Sequence, residues 1–177
     1  MTYLTDIPAI QDMAFCLGKE GCLFFTLCEI AERIVKKPID VLRSARYCID
    51  NKLVDYVDDN PTTHLKEAFF VFDRDKVLEY LTGIEGISAL KTHRLSKKDK
   101  RPYYIRYSKK DGETTTTHFV LPDYNSKFYS LTVANGAIDA YYVIIIPDSY
   151  KAIAKLINNF LNWLYDNVDA LSEELTQ

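Results

Sequence analysis

A chain of 177 residues, 47% hydrophobic and 27% charged, has the size of one domain and the composition of globular material, not of a disordered or membrane-embedded chain. Its net charge of −3 and pI near 5.6 argue against a general binder of nucleic acid or of anionic membrane. No run approaches the roughly 18–20 consecutive apolar residues that a membrane-crossing helix needs, so no membrane partner is expected.

Residues 1–8 lack a basic region followed by an apolar core, so no signal peptide is read, and the expected location is the cytoplasm, or outside by an export route the sequence does not encode. Residues 1–20 read as an irregular lead-in, with Pro8 and Gly18 as breakers. Gly21-Cys22 then stands directly before an apolar run that predicts a helix from about Cys22 to Lys36. Lys36 and Lys37 suit its C-terminal dipole, and Pro38 ends it. A second helix is predicted from Asp40 as N-cap to Asn51, its apolar residues Val41, Leu42, Ala45, Cys48 and Ile49 recurring at three- and four-residue spacing. Asp58-Asp59-Asn60-Pro61 reads as a turn, and residues 63–72 fit either a helix or an apolar strand. Asp73 resembles the N-cap of a short helix through Val77, Leu78 and Leu81 that ends at Gly83.

From Ile87 the character changes to strands, predicted over residues 87–95, 102–108, 114–121, 127–133 and 137–146. They are rich in Tyr, Thr, Val and Ile and are separated by short turn sequences, which implies antiparallel neighbours. The charged runs Lys97-Lys98-Asp99-Lys100-Arg101 and Lys109-Lys110 read as solvated hairpin ends. Pro147-Asp148 closes the sheet and caps a final helix over about 148–168, in which Ile153, Leu156, Ile157, Phe160, Leu161, Leu164 and Val168 form an apolar stripe. The acidic tail after Asp169 is expected to fray. The whole reads as one α+β domain: a helical half over about 1–86, an antiparallel sheet over about 87–146 and a closing helix.

The four cysteines, Cys16, Cys22, Cys28 and Cys48, all fall in the first third of the chain. None has Cys-x-x-Cys spacing, so neither a zinc site nor a thioredoxin-type motif is expected, and the thiols are expected to be unbridged. Cys28 and Cys48 fall within apolar helical patterns and read as small core residues. Cys16 is either a bystander or a thiol that protects Cys22 by forming a disulfide with it. Cys22 differs from the rest. At the first turn of a helix, unpaired backbone N–H groups and the positive end of the dipole favour thiolate over thiol.

A thiolate that attacks an acyl group needs an imidazole partner, a group to orient the imidazole, and oxyanion donors. The chain has three histidines. His64 lies near an element boundary, and His93 stands between Lys91 and Arg94, where neighbouring charge lowers its proton affinity. His118 opens the strand His118-Phe119-Val120-Leu121 and reads as the general base. The Cys22 N–H and the side-chain amide of Gln11 read as the oxyanion donors. With Asp123 to Ser126 as a hairpin turn, antiparallel pairing sets His118 opposite Ser130 or Leu131. An Asp or Asn is wanted there. Ser130 is a poorer, uncharged acceptor, and Asp123 and Asn125 lie too far along the strand.

The order Gln11…Gly21-Cys22-helix…His118-strand resembles that of papain-fold cysteine peptidases, nearest the bacteriocin-processing (double-glycine) branch, whose His-Phe-Val-Val strand is similar to His118-Phe119-Val120-Leu121. Residues 128–136 resemble a Tyr-Asp-Pro…Thr-Val…Gly segment of prophage- and plasmid-associated members, and an uncharacterised spirochaete family has a similar layout. The resemblance implies a papain-like α+β fold and thiol-dependent hydrolysis of a peptide or amide substrate, with no metal or organic cofactor and no stated oligomeric state. Two departures, Ser130 at the expected Asp and the bulky Leu23 and Phe24 after the nucleophile, point to an alternative: an inactive papain-fold module that only binds.

Overall fold

The protein is described by a computed structural model covering residues 13, 15–18, 20–57, 68–111, 114–122 and 137–174. It divides into two units, Met1–Ile145 and Ile146–Gln177.

Phe24, Leu27, Cys28, Ile30 and Ala31 are buried along one side of Cys22–Val35, the three- and four-residue recurrence of a core-facing helix, α1. It ends where Lys36 turns left-handed (φ 56°) and its N–H returns to the Glu32 carbonyl at 2.8 Å. Helix α2, Val41–Asp50, starts as predicted, the Asp40 carboxylate accepting from the Arg43 N–H at 3.0 Å. Strands β1 (Val54–Val57) and β2 (Ala68–Val71) pair antiparallel as a small separate sheet. Part of the ambiguous 63–72 stretch is thus strand, while the turn read at Asp58–Pro61 lies outside the described residues. Helix α3, Arg74–Thr82, is capped by Asp73, which accepts from the Asp75 and Lys76 N–H groups, and stops at Gly83 (φ 68°).

The main sheet holds β3 (Ser88–Thr92), β4 (Tyr103–Asp111), β5 (Thr114–Val120) and β6 (Ala137–Ile145), all antiparallel, in the order β3-β6-β4-β5. The fold is α+β, as the sequence predicts. Strands β4 and β5 form the expected hairpin, with Ile105 opposite Val120 and Tyr107 opposite His118. The last strand, β6, inserts between β3 and β4, and its pairing with β4 slips at Arg106/Tyr107, leaving Asp139 as the extra residue of a bulge. The Arg106 guanidinium and Ser108 hydroxyl both donate to the Asp139 carboxylate, holding it well below its ordinary pKa. The strand predicted over 127–133 lies outside the described residues.

Alternation along the strands gives each face its own cluster. On one face the rings of Tyr104 and Tyr142 stack at 4.8 Å, Phe119 meets both at 6.1 and 6.0 Å, and the Arg74 guanidinium of α3 lies 4.6 Å from the centre of the Tyr142 ring. On the other, Ile105, Tyr107 and Val120 form a buried cluster flanked by Tyr103 and Tyr141.

One expectation fails at the start. The lead-in is helical at Met13, at residues 15–18 and at Glu20, and Gly18 does not break it. Met13, Cys16 and Leu17 are buried at helical spacing, so tertiary burial overrides the weak local propensity.

The second unit is the helix α4, Asp148–Glu174. Its first turn is tied by an ion pair of Asp148 with Lys151 at 2.8 Å, and Phe160 and Trp163 stack at 6.1 Å. It runs past Asp169, where the sequence predicts fraying. The segment contains no Gly or Pro, and nothing local stops it. Among the described residues, no helix is long and apolar enough to cross a membrane.

A candidate thiol site at the start of α1

The site begins with Gly21. Its N–H donates to the Leu17 carbonyl at 2.8 Å, so the helical lead-in abuts α1 with almost no space between. A Cβ at Gly21 would lie 2.3 Å from the Leu17 carbonyl oxygen and 2.6 Å from the Leu17 Cδ1. Only glycine permits that approach, and the approach fixes where Cys22 enters the helix.

No side chain caps the N-terminus of α1, and no acidic residue lies in its first turn. Its open N–H groups are left to the Cys22 thiol, and those of Cys22 and Leu23 bear on the sulfur. A third N–H comes from across the fold, from Phe119 on β5. One turn further along α1, the Thr26 hydroxyl lies 2.8 Å from the Cys22 carbonyl and 3.1 Å from the Phe119 carbonyl. Strand β5 is the outer strand of the described sheet, so Phe119 presents its unpaired N–H and C=O sideways, and α1 takes up both.

Electrostatics run against the sequence expectation at one point. Burial pushes the Cys22 thiol above its ordinary value. The N–H groups of Phe119, Leu23 and Cys22 pull it down, and the nearby Glu20 carboxylate raises it further. Desolvation outweighs the helix terminus, and the thiol is held above its ordinary pKa in the fold. The predicted lowering is present in the N–H groups but is not the larger effect.

His118 directly precedes Phe119, the β5 residue whose backbone meets the first turn of α1. Its ring is half-buried, and Nδ1 is buried with no hydrogen-bond partner among the described residues. Pairing with Tyr107 sets His118 on the face of Ile105 and Val120, opposite the Phe119 ring. His118 Nδ1 accepts no hydrogen bond from the Cys22 thiol.

Gln11 and Ser130, the expected oxyanion donor and orienting group, lie outside the described residues, as do Asp123, Asn125 and His64. His93 is exposed, with Nδ1 3.0 Å from the Asp139 carbonyl, and so stands at the bulge of β6. Phe24 does not stand beside the thiol. It is fully buried and meets the Phe69 ring edge-on at 5.5 Å, while Leu23 stays half-buried. None of the four cysteines is in a disulfide, and Cys16, like Cys28 and Cys48, is buried. A hollow of about 470 Å³ lined by Lys37, Arg43, Tyr80 and their neighbours lies at the far end of α1 from Cys22. Sequence reading passed over Thr26. The available signal was a hydroxyl residue in an otherwise apolar run, four positions after Cys22 and hence above it on the same helix face.

No family model, curated protein or solved structure matches the chain.

Proposed function

We propose that the chain is a thiol-dependent hydrolase of peptide or amide bonds, papain-like in arrangement, with Cys22 as nucleophile and His118 as its base. The observation that carries this reading is the meeting of α1 with Phe119, the residue after His118: the Thr26 hydroxyl lies 3.1 Å from the Phe119 carbonyl, and the Phe119 N–H acts to lower the Cys22 pKa. It supports the reading by tying the helix that begins at Cys22 to the strand that carries His118. The unpartnered Nδ1 of His118 supports it as well, since that atom is available to accept the thiol proton.

In this mechanism the proton passes from Sγ to the imidazole as the sulfur attacks the substrate carbonyl carbon. The carbonyl π electrons move onto oxygen, which is held by the Cys22 N–H and the Gln11 amide. Collapse of the tetrahedral intermediate expels the amine, which takes the proton from His118. Water, deprotonated by the same imidazole, then cleaves the thioester and restores the thiol. Because burial disfavours the bare thiolate, ionisation is coupled to proton transfer onto His118 rather than preceding it.

The test is incubation with a mixture of unstructured peptides, read by mass spectrometry. Products formed by the parent and absent from both Cys22→Ala and His118→Ala support the reading, and products that persist in Cys22→Ala refute it. A second reading, a papain-like module that binds without cleaving, is favoured by the neutral thiol and its missing bond to Nδ1. It predicts intact peptide retained equally by the parent and by Cys22→Ala.

A further inference from the structure

Thr26, one turn after Cys22 on α1, hydrogen-bonds through its side chain to Phe119 of β5, the residue that follows His118. Thr26 is buried, and its Oγ1 lies 2.8 Å from the Cys22 carbonyl and 3.1 Å from the Phe119 carbonyl. The first contact is a helical back-bond to the residue four positions earlier, and the second crosses to a strand 93 residues away in sequence. Phe119 is thereby gripped on both of its edge groups by residues one turn apart on α1: its N–H faces the Cys22 sulfur and its C=O faces Thr26. Its ring packs at a steep angle against the stacked pair Tyr104 and Tyr142. A strand residue held at N–H, C=O and ring cannot slide, and His118 is bonded directly to it.

We propose that Thr26 is a positioning residue that sets the register of α1 against β5 and so fixes the distance between the Cys22 sulfur and the His118 imidazole. The inference rests on the Cys22–His118 reading and adds a residue to it that touches neither substrate nor reacting atom. A hydroxyl is required, because an apolar side chain of the same shape fills the space but takes from the Phe119 carbonyl the Thr26 donor that meets it. Misplacement of reacting groups by even an ångström is costly to rate, so a lost register reads out at the thiol before it reads out in the fold.

The experiment compares parent, Thr26→Val, Thr26→Ser, His118→Ala and the Thr26→Val/His118→Ala double variant. The rate of iodoacetamide modification at Cys22 is followed against pH by peptide mass, with circular dichroism confirming that each variant is folded. Expected is a fall of about tenfold or more at neutral pH in Thr26→Val, with the pH profile shifted to match His118→Ala and no further loss in the double variant. Thr26→Ser keeps the hydroxyl and restores the parent profile, which also serves should Thr26→Val fail to fold: a parental profile in Thr26→Ser then supports the hydroxyl's role, and a His118→Ala-like profile overturns it. A parental profile in folded Thr26→Val overturns the proposal while leaving the Cys22–His118 reading intact. A parent profile indifferent to His118→Ala overturns both, which separates the two failures.

Discussion

Two glycines close together in the chain meet opposite constraints. A Cβ at Gly21 would run into the backbone of Leu17, whereas a Cβ at Gly18 meets nothing within 4 Å. Gly21→Ala is therefore expected to cost about 1–3 kcal/mol in urea unfolding and to slow modification of Cys22 by shifting the first turn of α1. Gly18→Ala is expected to be neutral or to stabilise by up to about 1 kcal/mol, since it only removes backbone freedom from a helical position. Equal effects at the two sites would contradict the packing described at the start of α1. Cys22 and His118 are singled out in the sequence by residue type and by their order along the chain. Thr26's tie to Phe119 and the upward shift of the Cys22 thiol are not, because both depend on contacts and burial made across the fold, long-range in sequence.

Element boundaries were most legible where they are set locally. Asp40 and Asp73 accept from N–H groups within three residues, and Gly83 ends α3 by a left-handed turn, so each signal lies inside a short window of sequence. Asp73→Ala is expected to lower stability by about 1 kcal/mol, measured as a shift in the midpoint of urea unfolding with unchanged slope, because two N–H groups of α3 lose their acceptor. No shift would mean that the cap is replaced by solvent at no cost. The helical lead-in and strand β1 were misread or unread for the converse reason. Met13, Cys16 and Leu17 are held by burial, and Val54–Val57 by its partner Ala68–Val71, neither of which a local window contains.

At the scale of the molecule, the α+β class and the antiparallel pairing followed from hydrophobic period and short turns. The strand order did not, because β6 pairs with β3 and β4 across long stretches of chain, and no turn sequence encodes a non-local insertion. The buried thiols of the first unit give the fold a dependence on pH. Burial pushes the Cys48 thiol up to about 11 and the Cys28 thiol higher still, the latter aided by Cys48 and Glu32. Each holds its proton more tightly folded than unfolded. Their contribution is thus fully present below the ordinary thiol pKa of about 8.5 and is lost as pH rises through the folded value. Urea unfolding at pH 8, 9.5 and 11 is expected to show stability declining, with Cys48 alone accounting for on the order of 2 kcal/mol, and Cys48→Ala is expected to flatten that decline. A decline of the same steepness in Cys48→Ala would place the titrating groups elsewhere.

The central claim is that His118 takes the proton that burial would otherwise keep on Cys22. The most direct measurement is the pH dependence of iodoacetamide modification at Cys22, read by peptide mass in the parent and in His118→Ala. The account predicts an inflection well below the free-thiol value of about 8.5 in the parent, displaced to above that value when the imidazole is removed. An inflection above about 8.5 in both proteins would contradict it, leaving Cys22 a thiol on which His118 does not act.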